Sequence, residues 1–325
     1  MNQNIKQYIS IVNQQIEGIS FQKNPASLYE PISYLLSLGG KRLRPLLAIL
    51  SYKLFRDDYK KIVEPTLALE IFHNFTLMHD DIMDKAPMRR GQQTVHQKWN
   101  TNTAILSGDT MYTLAFELLN KSPENILPQV LQTFIKSAYE VCEGQQLDMD
   151  FEVKDSVNET EYLEMIQKKT AVLLGYSLQL GAILANQDHA IQKKLYDLGI
   201  AAGMGFQLKD DLLDVFGETE KVGKQKAGDI LSNKKTFLLI KAFELSRNGQ
   251  KEKLNYWTSA EHFDPAEKIN SVIDVYNELD IKELATKKVE SLFETSFQIL
   301  EGLEADQKAK DELAQFLQYL IERES

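Results

Sequence analysis

A chain of 325 residues with 43% hydrophobic and 26% charged residues can bury a core and enclose a pocket, which excludes a disordered chain. Its formal charge of −10 argues against nonspecific nucleic-acid binding, and its one cysteine, Cys142, excludes an intrachain disulfide framework or a multi-cysteine metal site. The opening residues lack an apolar secretory core, and no segment approaches the ~18 apolar residues of a membrane span, so a cytoplasmic location is the expectation.

Residues 1–20 read as an amphipathic helix with Ile5, Tyr8, Ile9, Val12 and Ile16 on one side. Gly39-Gly40 breaks the next helix, and Pro45 suits the first turn of the one after it. Lys41, Arg42 and Arg44 cluster at that break. Flexible backbone near a helix start suits phosphate oxygens; the bland reading is a turn with solvated cations.

From Pro65 to Met83 the apolar residues Leu67, Leu69, Ile71, Phe72, Phe75, Leu77, Met78, Ile82 and Met83 recur with helical spacing, which predicts a mostly buried helix. Asp80, Asp81 and Asp84 stand at its end, the first and last being neighbours on one face. Carboxylates crowded on a buried helix need compensating cations or donors, and a hard, oxygen-seeking ion such as Mg2+ meets that need. His73 is one heptad before Asp80, about 20° away on an ideal wheel, so both should face one cavity. Without Asp80 nearby, a lone histidine in an apolar run is a satisfied core residue. Arg89 and Arg90 follow across a turn marked by Pro87. They neutralise the carboxylates directly or, with them, grip a metal-bound anion.

Ser107-Gly108 suggests a turn before a helix that runs through Leu119, and Ser122-Pro123 with Pro128 marks a connection. Thr160 to Leu184 is a long helical pattern, capped by Thr160, that carries Lys168, Lys169 and Thr170. The acidic pattern then returns as Asp210, Asp211 and Asp214. Two chance D-D-x-x-D motifs are expected in well under about one such chain in a hundred. Gln207 shares their face and can aim an amide dipole into whatever they enclose. The Gly- and Lys-rich stretch that follows, with Lys224 and Lys234, reads as a cationic loop able to cover an anionic substrate, or as a solvated linker. Beyond it the chain is helical, with loop signals at Asn248-Gly249 and Asp264-Pro265 and an amphipathic helix from Leu313 to Ile321. No strand pattern or repeat occurs, so one all-α domain over residues 1–325 is the economical reading.

Together the two D-D-x-x-D motifs, Gly40-Lys41-x-x-Arg44-Pro45, Arg89-Arg90-Gly91, Lys169-Thr170, Phe206-Gln207 and the Lys224 and Lys234 loop resemble the trans-prenyltransferases, the polyprenyl diphosphate synthases, from about residue 30 to about residue 240. The resemblance implies an isoprenoid synthase helical bundle, its two acidic helices facing each other across a deep central cavity, and a homodimer. It implies Mg2+-dependent head-to-tail (1'-4) condensation of an allylic diphosphate (dimethylallyl, geranyl or farnesyl) with isopentenyl diphosphate. Asp80, Asp84, Asp210 and Asp214 would hold Mg2+, as three ions with substrate bound, with Asp81 and Asp211 in support. Arg89, Lys169, Lys224 and Lys234 would contact the allylic diphosphate. Gly40, Lys41, Arg44, His73 and Arg90 match the isopentenyl diphosphate positions. Thr170 and Gln207 match residues whose dipoles face the developing cation.

Phe75 and Thr76 occupy the positions that set product length in that family. An aromatic Phe75 resembles short-chain enzymes, although the wheel puts Thr76 nearer the Asp80 face. The first motif lacks a two-residue insertion, which shifts the expectation to geranylgeranyl diphosphate (C20), with farnesyl diphosphate (C15) as the alternative. A longer-chain synthase, a terpene cyclase and a silent partner subunit rank below. Cyclases would leave the Gly40-to-Pro45 cations without work, and silent partners usually show decayed acidic motifs.

Overall fold

The computed structural model describes residues 3–217 and 227–322. In chain order they form α1 (Gln3–Glu17), α2 (Ala26–Ser37), α3 (Leu43–Lys53), a 3-10 turn (Tyr59–Ile62) and α4 (Val63–Met83). A hairpin of β1 (Met88–Arg89) and β2 (Gln92–Gln93) leads to α5 (Val95–Lys98), α6 (Thr101–Leu119), α7 (Leu127–Val153) and α8 (Glu159–Ile166). A π-helical turn (Gln167–Ala171) joins α8 to α9 (Val172–Leu184), followed by α10 (His189–Phe216) and α11 (Gly228–Leu231). The chain closes with α12 (Phe237–Leu245), α13 (Asn248–Ser259), α14 (Pro265–Glu278), α15 (Ile281–Glu301) and α16 (Gln307–Glu322). The all-α class follows from the sequence pattern.

Contacts divide the chain into two compact units. The first spans Met1–Lys136, Tyr176–Tyr196 and Gly302–Phe316, and the second Ser137–Gly175, Asp197–Glu301 and Leu317–Ser325. In the first, α3 and α4 are buried nearly all round: Leu46, Ala48, Ile49, Leu69, Ile71 and Phe72 are inaccessible. Helices apolar on every face belong at the centre, and each of these Leu, Ile and Phe side chains contributes about 1.5–3 kcal/mol by leaving water. α1 is a layer outside them, burying Ile5, Tyr8, Val12 and Ile16. Its counterpart α16 buries Glu312, whose carboxylate meets Tyr8, Asn4 and Lys53 and ties the two terminal helices together.

In the second unit α8 starts at a full capping box: Asn158 accepts from the Glu161 N–H while the Glu161 carboxylate accepts from the Asn158 N–H. The cap is therefore Asn158, one residue before the helix begins, and not Thr160. Gly203 on α10 lets the π-helical turn approach closely, since a Cβ there would stand 2.6 Å from the Ala171 Cα.

Three other local expectations change. Ser107-Gly108 makes no turn; both lie inside α6, because a Cβ at Gly108 would stand 2.3 Å from the His79 Nε2 and only glycine lets the helices meet there. Asn248-Gly249 opens α13 instead of forming a loop. The hairpin has two-residue strands, too short to show any period in the sequence.

Candidate active site

The first acidic motif sits where α4 stops. Lys85 turns left-handed (φ 50°), the Ala86 N–H donates to the Asp81 carbonyl at 2.9 Å and the Lys85 N–H to that of Ile82 at 3.2 Å. This Schellman arrangement satisfies the last carbonyls of α4 and turns the chain toward the hairpin. The three aspartates are thereby sorted. Asp81 is 3% exposed and accepts from Arg89 Nε at 2.8 Å and Nη2 at 2.8 Å, while Asp80 is half-buried and Asp84 exposed. Arg89 and the motif do neutralise each other directly, through Asp81.

Arg90 does something else. The register Met88↔Gln93 and Arg89↔Gln92 leaves Arg90-Gly91 as a two-residue turn with φ of 52° and 74°, both left-handed, as a tight hairpin of primed type requires. The Arg90 guanidinium donates to the Gly39 carbonyl. Gly40 leaves room for it: a Cβ there would stand 3.2 Å from Arg42 Nη1 and 3.3 Å from Arg90 Nη2.

The basic residues of the Gly39-Gly40 break separate into two roles. Arg42 is buried, left-handed (φ 50°), and donates to Asn13 at 2.9 Å, Glu70 at 2.8 Å and the Leu36 carbonyl at 3.2 Å. It ties α1, α2 and α4 to the start of α3 and is structural, in contrast to the expectation that it joins a phosphate-facing cluster. Glu70→Ala would strand that guanidinium. We expect it to cost about 3–5 kcal/mol in a chemical denaturation experiment, whereas a loss under 1 kcal/mol would contradict the role.

Arg44 lies in a different environment. Burial pulls its pKa down to about 10 despite Glu70, and its Nε has no hydrogen-bond partner among the described residues. His73 is held well below the ordinary imidazole range by burial and by Arg44, Arg90, Arg89 and Arg42, so it is neutral. Arg90 too is lowered, chiefly by burial. Two guanidiniums drawn down by desolvation and a neutral imidazole can together receive an anion with several acceptor oxygens. Lys41, three residues before Arg44, is exposed.

Two residues after His73 and so on the opposite side of α4, Phe75 packs into an aromatic cluster. Its ring stacks on Tyr112 at 5.0 Å and 9°, and Phe72, Phe116 and Phe134 pack around Tyr112 at 5.5, 5.3 and 6.3 Å. Thr76 turns its hydroxyl back to the His73 carbonyl at 2.8 Å.

In the second unit the second motif is sorted like the first. Asp211 is 5% exposed and accepts from the Tyr162 hydroxyl and from Gln207 Nε2 at 3.1 Å, while Asp210 and Asp214 are half-buried. Burial, then the charge of Asp229, pushes the Asp211 carboxyl up to about 7. Gln207 is a bridge, its carbonyl accepting from Thr170 Oγ1 at 3.1 Å. Lys169 and Thr170 lie on the π-helical turn, and Lys169 Nζ pairs with Asp148 at 2.6 Å. The turn sits directly on α7: a Cβ at Gly144 would stand 2.2 Å from the Lys169 backbone nitrogen. π-helical turns of this kind often mark functional sites.

Three residues of this unit went unread in the sequence. Tyr162 and Asp148 touch motif residues that are far away in the chain, and nothing in spacing flags them. Asp229 donates its backbone N–H to Asp214 Oδ2 at 2.9 Å, and its position directly after Gly228 was the one available signal. Lys234 is exposed on the turn that follows, and Lys224 lies outside the described residues.

Among the described residues no three histidine, cysteine or carboxylate side chains converge into a ready metal cage. The donor set nonetheless fits Mg2+. The outer aspartates of both motifs offer oxygen ligands only, and Mg2+ takes one or two carboxylates plus substrate phosphates in preference to an all-protein cage.

The polyprenyl synthetase family model matches residues 25–276. The chain belongs to this family. The match extends past the motifs into α14, where the sequence offered only helical character. The geranylgeranyl pyrophosphate synthase of Geoglobus acetivorans is 47% identical over 243 residues, 74% of this chain and 76% of that one. The geranylfarnesyl diphosphate synthase of Natronomonas pharaonis is 38% identical over 251 residues, 71% of this chain and 73% of that one. A crystal structure of a geranylgeranyl pyrophosphate synthase superposes with a TM-score of 0.94 at 40% identity, covering 100% of both chains. Polyprenyl synthetases are transferases, and the family uses Mg2+. No helix among the described residues is long and apolar enough to cross a membrane.

Proposed function

We propose that this polyprenyl synthetase condenses an allylic diphosphate with isopentenyl diphosphate, head to tail, and releases geranylgeranyl diphosphate. The observation that carries the reading is the anion site around Arg44, Arg90 and neutral His73, with a buried Arg44 Nε still short of an acceptor. A diphosphate supplies the several charged oxygens that such a site lacks. Lys41 and the Gly40 backbone complete the isopentenyl diphosphate subsite.

Arg89, Lys169, Lys224 and Lys234 contact the allylic diphosphate. Asp80, Asp84, Asp210 and Asp214 would hold Mg2+, three ions when substrate is bound. Mg2+ held there would supply positive charge to neutralise the departing pyrophosphate. Lys169, Lys224 and Lys234 add to that neutralisation, so the allylic C–O bond ionises. Gln207 and Thr170 hold dipoles for the developing cation. The isopentenyl double bond attacks the allylic carbon, a new C–C bond forms, and the proton lost from the adjacent carbon goes to the released pyrophosphate.

Length control rests on Phe75 with Tyr112 behind it. The similar chains named for C20 products favour geranylgeranyl diphosphate over farnesyl diphosphate, and the geranylfarnesyl relative makes C25 the second reading. The acting species proposed is a homodimer, supported by Ile105 and Leu106, which α6 leaves 40% and 59% exposed. Calorimetry with a nonreactive allylic diphosphate analogue tests the binding step. We expect saturable heat with Mg2+ present and its loss on chelation; no binding in either condition contradicts the proposal.

A further inference from the structure

Lys268, in the first turn of α14, is 1% exposed, although a lysine is almost never fully buried unless it is paired. Among the described residues its partners are uncharged. The ammonium donates to Asn233 Oδ1 at 2.7 Å and to the Leu231 carbonyl at 3.3 Å, and it lies 4.2 Å from the centre of the Phe263 ring. Burial alone lowers its pKa. A methionine of similar length would fill the space without the desolvation cost, so stability gives no reason for a charge here. The explanation must lie in what the ammonium holds.

It holds the turn that ends α11. The Leu231 carbonyl is one of the terminal acceptors of that short helix, where a cation is favoured. Asn233 is left-handed (φ 54°) and is clamped at both ends of its side chain, since its Nδ2 donates to the Thr258 carbonyl at 3.1 Å. The next residue is Lys234, whose N–H donates to the Asp229 carbonyl at 2.9 Å. Asp229 in turn donates its N–H to Asp214 Oδ2 at 2.9 Å, and the Ala227 N–H donates to the Asp214 carbonyl at 3.0 Å. An unbroken path of hydrogen bonds and single peptide links thus joins Lys268 to Asp214.

From this geometry we infer that Lys268 is a positioning residue, which fixes the Leu231–Asn233 turn so that Lys234 is presented to the allylic diphosphate and Asp214 is oriented for its metal. The inference rests on the diphosphate-binding reading above, and it predicts a split between the two substrates. Isopentenyl diphosphate binds elsewhere and does not depend on this turn.

The test uses the full-length protein with Lys268→Met, which keeps the stem and removes the charge, and Asn233→Ala as a second variant that opens the same clamp. For each, KM is measured separately for the allylic and the isopentenyl diphosphate, and amide hydrogen exchange is followed over residues 227–236. We expect KM for the allylic diphosphate to rise about tenfold, with KM for isopentenyl diphosphate within about twofold of wild type. The amides of Asp229 and Lys234 should exchange about tenfold faster. Equal rises in both KM values, or unchanged exchange in a folded variant, overturn the inference. If Lys268→Met does not fold, Asn233→Ala decides by the same readouts. Absence of prenyl transfer by the wild-type protein contradicts the proposed function instead, and the exchange of the turn still decides the role of Lys268.

Discussion

Replacing Asp80 or Asp210 with alanine lowers prenyl transfer by about a thousandfold and leaves the unfolding transition where it was. The reason is the sorting of each motif by burial. The outer aspartates lie at accessible or half-buried positions, so removing one takes away an oxygen ligand without opening a cavity in the core. The middle aspartates behave in the opposite way. Asp81 is 3% exposed and is the partner of Arg89, so Asp81→Ala leaves a guanidinium without its acceptor and costs about 3 kcal/mol of stability. Steady-state kinetics beside denaturant unfolding on these three alanine variants separates the two classes. Near-normal turnover in Asp80→Ala would remove that residue from the metal-binding set.

The second large effect is on product length. Phe75→Ala removes a ring stacked at 5.0 Å on Tyr112, and the vacated space continues into a cluster of aromatic side chains. A phenylalanine-to-alanine change in a packed core costs about 3–5 kcal/mol. At this position a growing prenyl tail can fill the same volume. Phe75→Ala should therefore shift the product beyond C20, and the double variant with Tyr112→Ala should extend it further, because Tyr112 is the next ring along. Mass spectrometry of the hydrolysed products reads both. An unchanged C20 distribution in the double variant would show that the floor lies elsewhere. Thr76 is expected to matter less, since its hydroxyl is engaged with its own helix at the His73 carbonyl.

Much of this was legible in the sequence because it depends on local rules. The apolar spacing from Pro65 to Met83 marks α4 to within two residues of its observed start at Val63, and the i, i+4 relation within each acidic motif follows from helix geometry alone. What escaped depends on partners distant in the chain. Arg42 and Arg44 are two residues apart in one basic cluster, yet a left-handed backbone at Arg42 turns it inward to Glu70 and Asn13, while Arg44 keeps a buried Nε without a partner among the described residues. Gly108 looked like a turn because the ring of His79, which requires the glycine, is brought in by α4. The π-helical turn at Gln167–Ala171 has no compositional signature, and Tyr162, Asp148 and Lys268 read as ordinary helix residues until their neighbours are known. Spacing reveals which residues share a face; it does not reveal what that face meets.

Head-to-tail condensation elongates the allylic chain by five carbons for each isopentenyl diphosphate in the proposed reaction. Incubating the purified protein with Mg2+, isopentenyl diphosphate and, in turn, dimethylallyl, geranyl or farnesyl diphosphate, then reading product lengths by mass spectrometry, tests it most directly. Condensation is expected to stop at twenty carbons and to cease when the metal is chelated. No condensation with any of the three primers would contradict it.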